Sequence, residues 1–366
     1  MNSHLFTFTN HRTERNTNFF DLYEKIDRTC INLMGKNKLN SKIISIFMYP
    51  LFFILLLPFS IFTLIKNRNV ENYVVLFPGL LELLFLRIFK PFFNYKIVYD
   101  MFTSFHLTLV EDRKIIKPNS LIEKFIIYLD RIFFTIPDKL IFETSEMEQY
   151  VKHFLGMQKE KSLVLTSYRD LPEGLDSENL IHKEENIYEV AFWGSFERMH
   201  GLDTILDSAI ELGNEYKFYL IGNGSYFKHI KGRVEKEGIK NVFLTGYLSK
   251  NIKDDVNLYS YIIKSDVCLG AFSDTKKNNL VIPGKIVEAF LLGKPVITAK
   301  TNYIENNCSN SVVAINPDDS KELTKAIKTL SINKRLKENI VSKSKKYFES
   351  NHSKDYFQNK LIEFLT

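Results

Sequence analysis

The stretch NNLVIPGKIVEAFLLGKPVIT, residues 278–298, decides the fold of the second half of the chain. Pro283 suits the first turn of a helix and Gly293 suits the residue just past its end, so the sequence predicts a short helix between them. The apolar runs at residues 267–272 and 295–298 flank this helix and are typical of buried parallel strands. The stretch is therefore predicted to form a strand, a loop, a helix and a second strand.

Lys285 and Glu288 lie three residues apart on the predicted helix and so share one face of it. A cation in the first turn opposes the helix dipole, which is explained if an anion such as a phosphate also binds at that N-terminus, where free backbone N–H groups collect. Glu288, one turn further on, could accept hydrogen bonds from two vicinal hydroxyls, and phosphate with ribose indicates a nucleotide. The alternative is an ordinary solvated Lys–Glu pair.

Length and composition bound the class of protein. The chain has 366 residues, 45% hydrophobic and 25% charged, which is typical of a globular protein with room for two domains. Its three cysteines are odd in number and lack paired metal-ligand spacing, and its polar N-terminus has no signal-peptide pattern, so we expect a reducing cytoplasm. The formal net charge of +6 fits an anionic membrane surface or a nucleotide better than a nucleic acid.

Apolar strands alternate with helices along the chain, which predicts doubly wound parallel sheets. The predicted strands of the first half are residues 4–9, 73–77, 96–99, 138–142 and 163–166, with a helix at 121–134. In the second half, strands at 188–193, 217–221 and 242–245 alternate with helices at 202–212, 226–237 and 256–265. The polar run 10–16 is predicted as a loop whose Arg12 and Arg15 either meet an acidic acceptor or are solvated.

Residues 43–65 contain no charged residue and are long enough to cross a bilayer, for which about 20 apolar residues suffice. However, they include two prolines and lie between two strands of one predicted sheet, which a crossing would separate. We therefore predict a segment that lies on the membrane surface, because Lys36, Lys38, Lys42, Lys66 and Arg68 flank it and suit anionic headgroups. Residues 80–93 are a second candidate. The alternative for both segments is a buried core helix.

Three stretches carry a resemblance to a known family. VIPGKIVEAFLLGKPVIT, residues 281–298, resembles the donor-site segment of family 4 glycosyltransferases of GT-B fold, in particular of a bacterial surface-polysaccharide subgroup. GSFERMHGLDTIL, residues 194–206, is similar to the first phosphate loop of that subgroup. DMFTSFHLTLVEDRK, residues 100–114, is similar to its N-domain signature. The resemblance covers nearly the whole chain and is most specific in the second half.

The resemblance implies an α/β protein of GT-B fold, with two Rossmann-like doubly wound parallel-sheet domains that face each other across a cleft. Residues 1–166 would form the acceptor-side domain with the membrane-associating segment 43–65, and residues 167–185 a linker. Residues 186–350 would form the nucleotide-sugar donor domain, and residues 351–366 a helix that crosses back to the first domain.

The same resemblance implies the function. The protein would move a sugar from a nucleotide-sugar donor to a lipid-linked or polysaccharide acceptor, with retention, in cell-surface polysaccharide synthesis. It would be cytoplasmic and peripheral on the inner face of the cell membrane. Its partners would be the nucleotide-sugar, a lipid-linked or glycan acceptor and the membrane surface, with no nucleic acid.

The resemblance also implies a set of site residues, and the chain departs from the family at three of its positions. The donor-binding residues implied are Gly194, Ser195, His200, Lys276, Ile282, Pro283, Gly284, Lys285 and Glu288, and the catalytic residues are Asp100, Ser104, His200, Lys276 and Lys285. Ser195 and His200 stand where the family usually has an Arg and a Lys that bind the diphosphate. We therefore expect His200, Lys276 and Lys285 to bind it. Leu280 replaces the first of two glutamates eight residues apart, so recognition of the donor sugar stays open.

The sequence contains no Asp-x-Asp triplet, which argues against a metal-dependent glycosyltransferase of GT-A fold. We therefore predict a hexosyltransferase-type enzyme without a metal site and without a cofactor other than its nucleotide-sugar substrate. Two alternatives stay open. One is a nucleotide-sugar 2-epimerase of the same fold, which would not need the apolar segment 43–65. The other is a non-catalytic, glycosyltransferase-like assembly subunit, which Ser195, His200 and Leu280 would suit.

Overall fold

The computed structural model describes residues 2–7, 13–23, 28–30, 56–112, 114–154, 156, 162–172, 174–175, 186–254 and 256–366. The chain divides into two compact units. Unit 1 consists of Met1–Ser167 together with Phe357–Thr366, and unit 2 consists of Tyr168–Tyr356.

Unit 1 contains a parallel sheet whose six described strands run in the order β2-β1-β3-β4-β5-β6. The strands are β1 (Ser3–Thr7), β2 (Arg28–Cys30), β3 (Asn72–Leu76), β4 (Lys96–Met101), β5 (Lys139–Phe142) and β6 (Ser162–Val164). Every residue of β1, β3 and β5 is buried. Burial of successive residues, which point to opposite faces, means that both faces of this sheet are covered.

Five described helices connect these strands. They are α1 (Glu14–Tyr23), α2 (56–66), α3 (Leu80–Phe89), α4 (Leu121–Thr135) and α5 (Ser145–Phe154). Helix α1 carries the chain from β1 to β2, whereas the other four lie on connections that run toward β6. Because such crossovers are right-handed, α2, α3, α4 and α5 lie on one face of the sheet and α1 lies on the other.

Unit 2 contains a second parallel sheet, with the order β12-β11-β10-β7-β8-β9 among its described strands. They are β7 (Tyr188–Trp193), β8 (Tyr216–Ile221), β9 (Val242–Gly246), β10 (Val267–Leu269), β11 (Val296–Ala299) and β12 (Val313–Ile315). The helices are α6 (Leu202–Leu212), α7 (Phe227–Lys236), α8 (Leu258–Lys264), α9 (Lys276–Leu280), α10 (Gly284–Leu291), α11 (Ser320–Ile332) and α12 (Lys334–Asn351). A final helix, α13 (Lys354–Leu365), follows the last strand of unit 2 and packs on unit 1. There the side-chain amide of Asn72 donates a hydrogen bond to the carbonyl of Leu365 at 2.8 Å.

Strand β7 is central to unit 2 and separates two hydrophobic cores. Val190 and Phe192 belong to one core, and Ala191 and Trp193 belong to the other, as the alternation of side chains along a strand requires. The strand order reverses at β7, because the chain proceeds outward from it first through β8 and then through β10. Ligands of open parallel sheets bind beside the carboxyl ends of the strands at such a switch point, which here is the end of β7 at Trp193.

The predicted α/β class with two doubly wound parallel sheets is confirmed. Each strand predicted from the sequence has an observed counterpart whose ends lie within three residues of the prediction. Strands β2 and β12, of three residues each, were not predicted. The predicted loop at residues 10–16 is wrong at its end, since α1 begins at Glu14 and contains a buried Arg15. Residues 8–12, with Arg12, lie outside the described residues.

The predicted membrane segment 43–65 is described only from residue 56 onward, where the chain forms α2. Within the part of the chain that the structure describes, no helix combines the length and the apolar character that a bilayer crossing requires. In the second candidate segment, α3 buries Glu82, Leu83, Phe85 and Leu86. This helix therefore contributes to the core, as the alternative interpretation held, although Phe92 just after it is 77% exposed.

Candidate functional site

Two glycines hold the ends of β7 and β8 together. Gly194 and Gly222 have φ angles of 127° and 138°, in the region that favours glycine. A Cβ atom on Gly222 would lie 1.9 Å from the carbonyl oxygen of Gly194, and the N–H of Gly194 donates to the carbonyl of Ile221 at 3.0 Å. The two turns can approach this closely because Gly222 carries no side chain, and Gly194 and Ser195 are exposed.

Lys285 lies directly behind this turn. A Cβ atom built on Gly194 would be 3.4 Å from Cε and 3.6 Å from Nζ of Lys285. The ammonium lies 4.2 Å from the centre of the Phe192 ring, is buried, and has no hydrogen-bond partner among the described residues. Burial lowers the pKa of Lys285 to about 7, and the charge of Glu288 opposes this shift. A cation in this state would be stabilised by any anion bound at Gly194.

Helix α10 points its N-terminus at the same end of the sheet. Pro283 is the N-cap residue, and no side chain caps the helix. The first N–H groups of such a helix have no intrahelical acceptor and carry the positive end of the helix dipole. The backbone of α10 and the ammonium of Lys285 therefore provide hydrogen-bond donors and positive charge in one place, which is a suitable arrangement for binding a phosphate group.

Glu288 lies one turn further along α10 and is nearly buried, with 5% of its surface exposed. Its Oε2 atom accepts a hydrogen bond of 2.6 Å from Trp193 Nε1, and its Oε1 atom forms an ion pair with Lys250. The alternative interpretation of Lys285 and Glu288 as a solvated pair is therefore wrong, because Lys285 is buried and Glu288 has other partners. Trp193 fixes the carboxylate, which retains lone pairs on both oxygens for a further donor such as a ribose hydroxyl.

His200 closes the other side of the Gly194 turn. Its Nδ1 atom lies 2.6 Å from the carbonyl oxygen of Ser195, and a carbonyl only accepts, so the proton of this bond is on Nδ1. Burial and then the charge of Lys285 lower the pKa of His200 well below its usual value. The imidazole is therefore neutral, and its Nε2 atom is a hydrogen-bond acceptor. Contact of Nε2 with a phosphate oxygen requires protonation of the ring, which the charge of the phosphate would favour.

Asn278 fixes the loop that presents His200. Its side-chain amide donates to the carbonyls of Met199 and Ser273, both at 2.8 Å, and the residue is 1% exposed. The loop after β10 is thereby tied to the loop after β7. Sequence reasoning did not assign this role to Asn278, because one of its two partners, Met199, is 79 residues away.

The remaining predicted donor-side residues differ in exposure. Ile282 is buried in the core of unit 2, Pro283 and Gly284 are half-buried, and Ser195 is exposed. Lys276 begins the five-residue helix α9 with its side chain exposed, and its contact with a phosphate stays a prediction. The structure thus brings Gly194, His200 and Lys285 together.

Two residues that sequence reasoning missed complete this site. They are Trp193 and Lys250, the partners of Glu288. Trp193, the single tryptophan of the chain, could have been suspected because it immediately precedes Gly194 at the end of a predicted strand.

In unit 1, Asp100 belongs to β4 and is fully buried beside Arg15. Arg15 donates from Nη2 to Oδ1 at 2.5 Å and from Nε to Oδ2 at 2.9 Å, and its Nη1 atom donates to the carbonyl of Leu165 at 2.8 Å. The guanidinium therefore joins α1, β4 and the end of the β6 segment. The predicted contact of Asp100 with an acceptor stays a prediction. Its observed partner, Arg15, links elements of the fold. Arg15 is neither solvated nor in a loop.

Ser104 is also fully buried, and its Oγ atom accepts the N–H of Leu107 at 2.9 Å. The nearby His106 lies between Glu123, 2.9 Å from Nε2, and the Tyr150 hydroxyl, 3.1 Å from Nδ1. The predicted role of Ser104 in orienting an acceptor stays a prediction. Among the described residues, no group of three or more His, Cys, Asp and Glu side chains is placed to hold a metal ion.

Comparison with known proteins bears on both units. Residues 188–333, which lie in unit 2, match the family model described as Glycosyl transferases group 1. The curated proteins contain no match to this chain. Solved structures, however, match over nearly its whole length. Sucrose-phosphate synthase from Thermosynechococcus elongatus is 10% identical, with a TM-score of 0.72 over 99% of this chain and 97% of that one.

Two further solved structures agree. Alr3699/HepE from Anabaena in complex with UDP is 13% identical, with a TM-score of 0.70 over 100% of this chain and 99% of that one. The lipopolysaccharide outer core galactosyltransferase WaaB in its apo form is 12% identical, with a TM-score of 0.63 over 99% of both chains. The fold is GT-B. Together, the GT-B fold and the match of residues 188–333 support a glycosyltransferase. The matched residues lie in unit 2.

Proposed function

We propose that this GT-B protein transfers a sugar from a nucleotide-sugar donor, bound by unit 2, to a lipid-linked or polysaccharide acceptor. The observation that carries the proposal is the buried ammonium of Lys285, which lies 3.6 Å from the position of a Cβ built on Gly194 and has no hydrogen-bond partner among the described residues. This group lies inside the region that matches Glycosyl transferases group 1. In Alr3699/HepE, a protein of similar fold, the bound molecules are UDP and glucose.

The diphosphate of the donor would bind at Gly194, where exposed backbone allows a close approach. Lys285 and the uncapped N-terminus of α10 would supply positive charge, with His200 and Lys276 as further contacts. Negative charge grows on the diphosphate as the glycosidic bond breaks, so donors fixed in advance stabilise the transition state more than the ground state. Lys285 is fixed by burial against Phe192, which suits this role.

Glu288 would accept hydrogen bonds from the ribose hydroxyls. Its carboxylate is already oriented by Trp193 and Lys250, so that little conformational freedom is lost when a ribose binds. Leu280 is 8% exposed and its side chain has no polar group, which leaves the hydroxyls of the transferred sugar to other groups.

The finer details of the proposal come from the resemblance of the sequence to family 4 enzymes. They are transfer of a hexose with retention, independence of metal ions, a role in cell-surface polysaccharide synthesis, and Asp100 and Ser104 as acceptor-side residues. A position on the inner face of the cell membrane belongs to the same proposal. It is supported by the exposed Phe59, Phe62 and Ile65 of α2, which are followed by the exposed cations Lys66 and Arg68.

A thermal-shift screen of the full chain against UDP, GDP, dTDP and CMP sugars tests the donor proposal. A ligand that binds only the native state raises the melting temperature, and a concentration of 100 times Kd adds about 2.7 kcal/mol to the free energy of unfolding. We expect one base to produce a shift that EDTA does not remove and that Lys285→Ala reduces. A screen in which no nucleotide shifts the melting temperature would contradict the proposal, and a shift that needs a divalent ion would contradict metal independence.

A further inference from the structure

Helix α4 of unit 1 presents large apolar side chains to solvent. Leu121, Ile122, Phe125 and Tyr128 are 83%, 60%, 56% and 59% exposed. Their spacing places them on one face of the helix. The opposite face is buried, yet it contains an acid, Asp130, together with Phe134. The polarity of α4 is therefore reversed relative to an ordinary surface helix, whose apolar face points inward.

The exposed apolar surface extends beyond α4. Ile115, in the loop that leads to the helix, is 58% exposed. Helices α2 and α3 lie on the same face of the sheet as α4, and they expose Phe62, Ile65 and Ile88 by 63%, 58% and 54%. Single exposed apolar residues are common on proteins, but several on one side of a domain indicate an interaction surface.

The charges around α4 show which partner this surface fits. Its exposed charged side chains are all basic in the described part of this region: Lys114, Lys117, Lys124 and Arg131. The two acids of α4 are turned inward. Glu123 accepts from His106 and from the N–H of Asn119, and Asp130 is buried and accepts the N–H groups of Phe105 and His106. Exposed apolar side chains with cations beside them complement an anionic lipid surface. The apolar side chains reach the boundary of the acyl region, and the cations bind the headgroups.

We propose that α4, together with residues 114–120, is a docking surface for an anionic membrane, on which the helix lies parallel to the bilayer plane. The role of this surface rests on the proposed function of transfer to a lipid-linked acceptor. The surface is separate in sequence from the apolar segment 43–65. Lipid binding by α4 does not require the donor site, so the two proposals can fail independently.

Sedimentation of the full chain with lipid vesicles tests this proposal. We expect binding to phosphatidylcholine vesicles that contain about one-third phosphatidylglycerol, and much weaker binding to phosphatidylcholine alone. The triple variant Leu121→Glu, Ile122→Glu, Phe125→Glu should lower the apparent partition coefficient by about tenfold or more. The altered side chains are exposed, and the acids at positions 121 and 122 lie in the first helical turn, where they interact favourably with the helix dipole, so the variant should fold.

A matched control and a second variant make the result specific. Ile332→Glu changes an isoleucine of unit 2 that is 86% exposed, and it should bind vesicles like the wild type. Replacing Lys117, Lys124 and Arg131 by Gln should weaken binding chiefly at low salt, where charge attraction is strongest. The double variant Phe59→Glu, Phe62→Glu measures the contribution of α2 separately.

Three results would overturn the proposal. One is a triple variant that binds anionic vesicles as tightly as the wild type. Another is binding that only the α2 variant reduces. The third is a wild-type dimer in size-exclusion chromatography that the triple variant converts to a monomer, because the α4 face would then contact a second copy of the chain. The nucleotide-induced thermal shift, measured on the same triple variant, reports on the donor site independently.

Discussion

Unit 1 and unit 2 each bury a charged side chain near the end of a central strand, but the two charges have different surroundings. Asp100 of β4 receives hydrogen bonds from Arg15 on both carboxylate oxygens. Lys285, behind the Gly194 turn that follows β7, has an aromatic ring on one side and no hydrogen-bond partner among the described residues. One buried charge is therefore satisfied within the fold, and the other is not.

The difference separates structural charges from binding charges. Removing a charge from water costs several kcal/mol, which a well-placed partner offsets and an isolated position does not. A buried pair such as Asp100 with Arg15 can therefore hold elements together without any ligand. An isolated ammonium destabilises the empty protein, and this cost is recovered when an anion binds. We therefore assign the ligand-binding role to Lys285, whereas Asp100 has a structural partner in Arg15 and its predicted contact with an acceptor stays a prediction.

The largest expected effect is on the stability of unit 1. Arg15→Ala should lower the free energy of unfolding by about 3 to 5 kcal/mol, because it leaves the Asp100 carboxylate buried without its partner. Urea denaturation of wild type and variant measures this loss. The double variant Arg15→Met, Asp100→Leu removes both charges and should be more stable than Arg15→Ala. Wild-type stability in Arg15→Ala would remove the contrast between the two units.

The next effect is on turnover and concerns Lys285. Lys285→Ala should lower kcat by about two orders of magnitude, as does the loss of one preorganised donor in other enzymes, while KM changes less. Steady-state kinetics with the donor found in the thermal-shift screen measures both constants. Lys240→Ala, a change of an exposed lysine in unit 2, is the matched control. Normal turnover in Lys285→Ala would place the leaving-group contacts elsewhere.

A smaller effect is expected at the nucleoside. Glu288→Ala should weaken binding of the nucleoside diphosphate by about 1 to 3 kcal/mol, the cost of losing hydrogen bonds to a charged acceptor. Isothermal titration calorimetry gives this value directly. Glu288→Gln keeps the shape and should lose less affinity, since the amide still accepts a bond from Trp193. An unchanged Kd in a folded Glu288→Ala protein would restrict the carboxylate to its contacts with Trp193 and Lys250.

These sites also show how far the sequence could be read. The glycine after β7, the proline and lysine at the start of α10, and Glu288 were predicted because local patterns mark strand ends and helix starts. The partners Trp193 and Lys250 lie 95 and 38 residues from Glu288, and no local pattern relates them. Arg15 was misassigned to a loop for the same reason, because its partner Asp100 is 85 residues away and polar residues at a helix start resemble a turn.

The smallest effect is the pH dependence of stability. Burial lowers the pKa of Lys285 to about 7, below its value of about 10.4 in an unfolded chain. Between these values the unfolded chain binds more protons, so the contribution of this group to the free energy of unfolding rises with pH, by about 1 kcal/mol from pH 7 to 8. Urea denaturation at both pH values should show this rise in wild type and a smaller one in Lys285→Met. Equal slopes would contradict the isolated state of the ammonium.

The central claim is that Lys285 is kept without a partner in order to bind the diphosphate of a nucleotide. Thermal melting of wild type and Lys285→Met in phosphate-free buffer at pH 7, with and without the nucleoside diphosphate, tests it most directly. We predict that Lys285→Met melts at a higher temperature than the wild type without ligand, because a buried charge is replaced by an apolar chain of similar length, and that its ligand-induced shift is reduced. A variant that melts lower and keeps the full shift would contradict the claim.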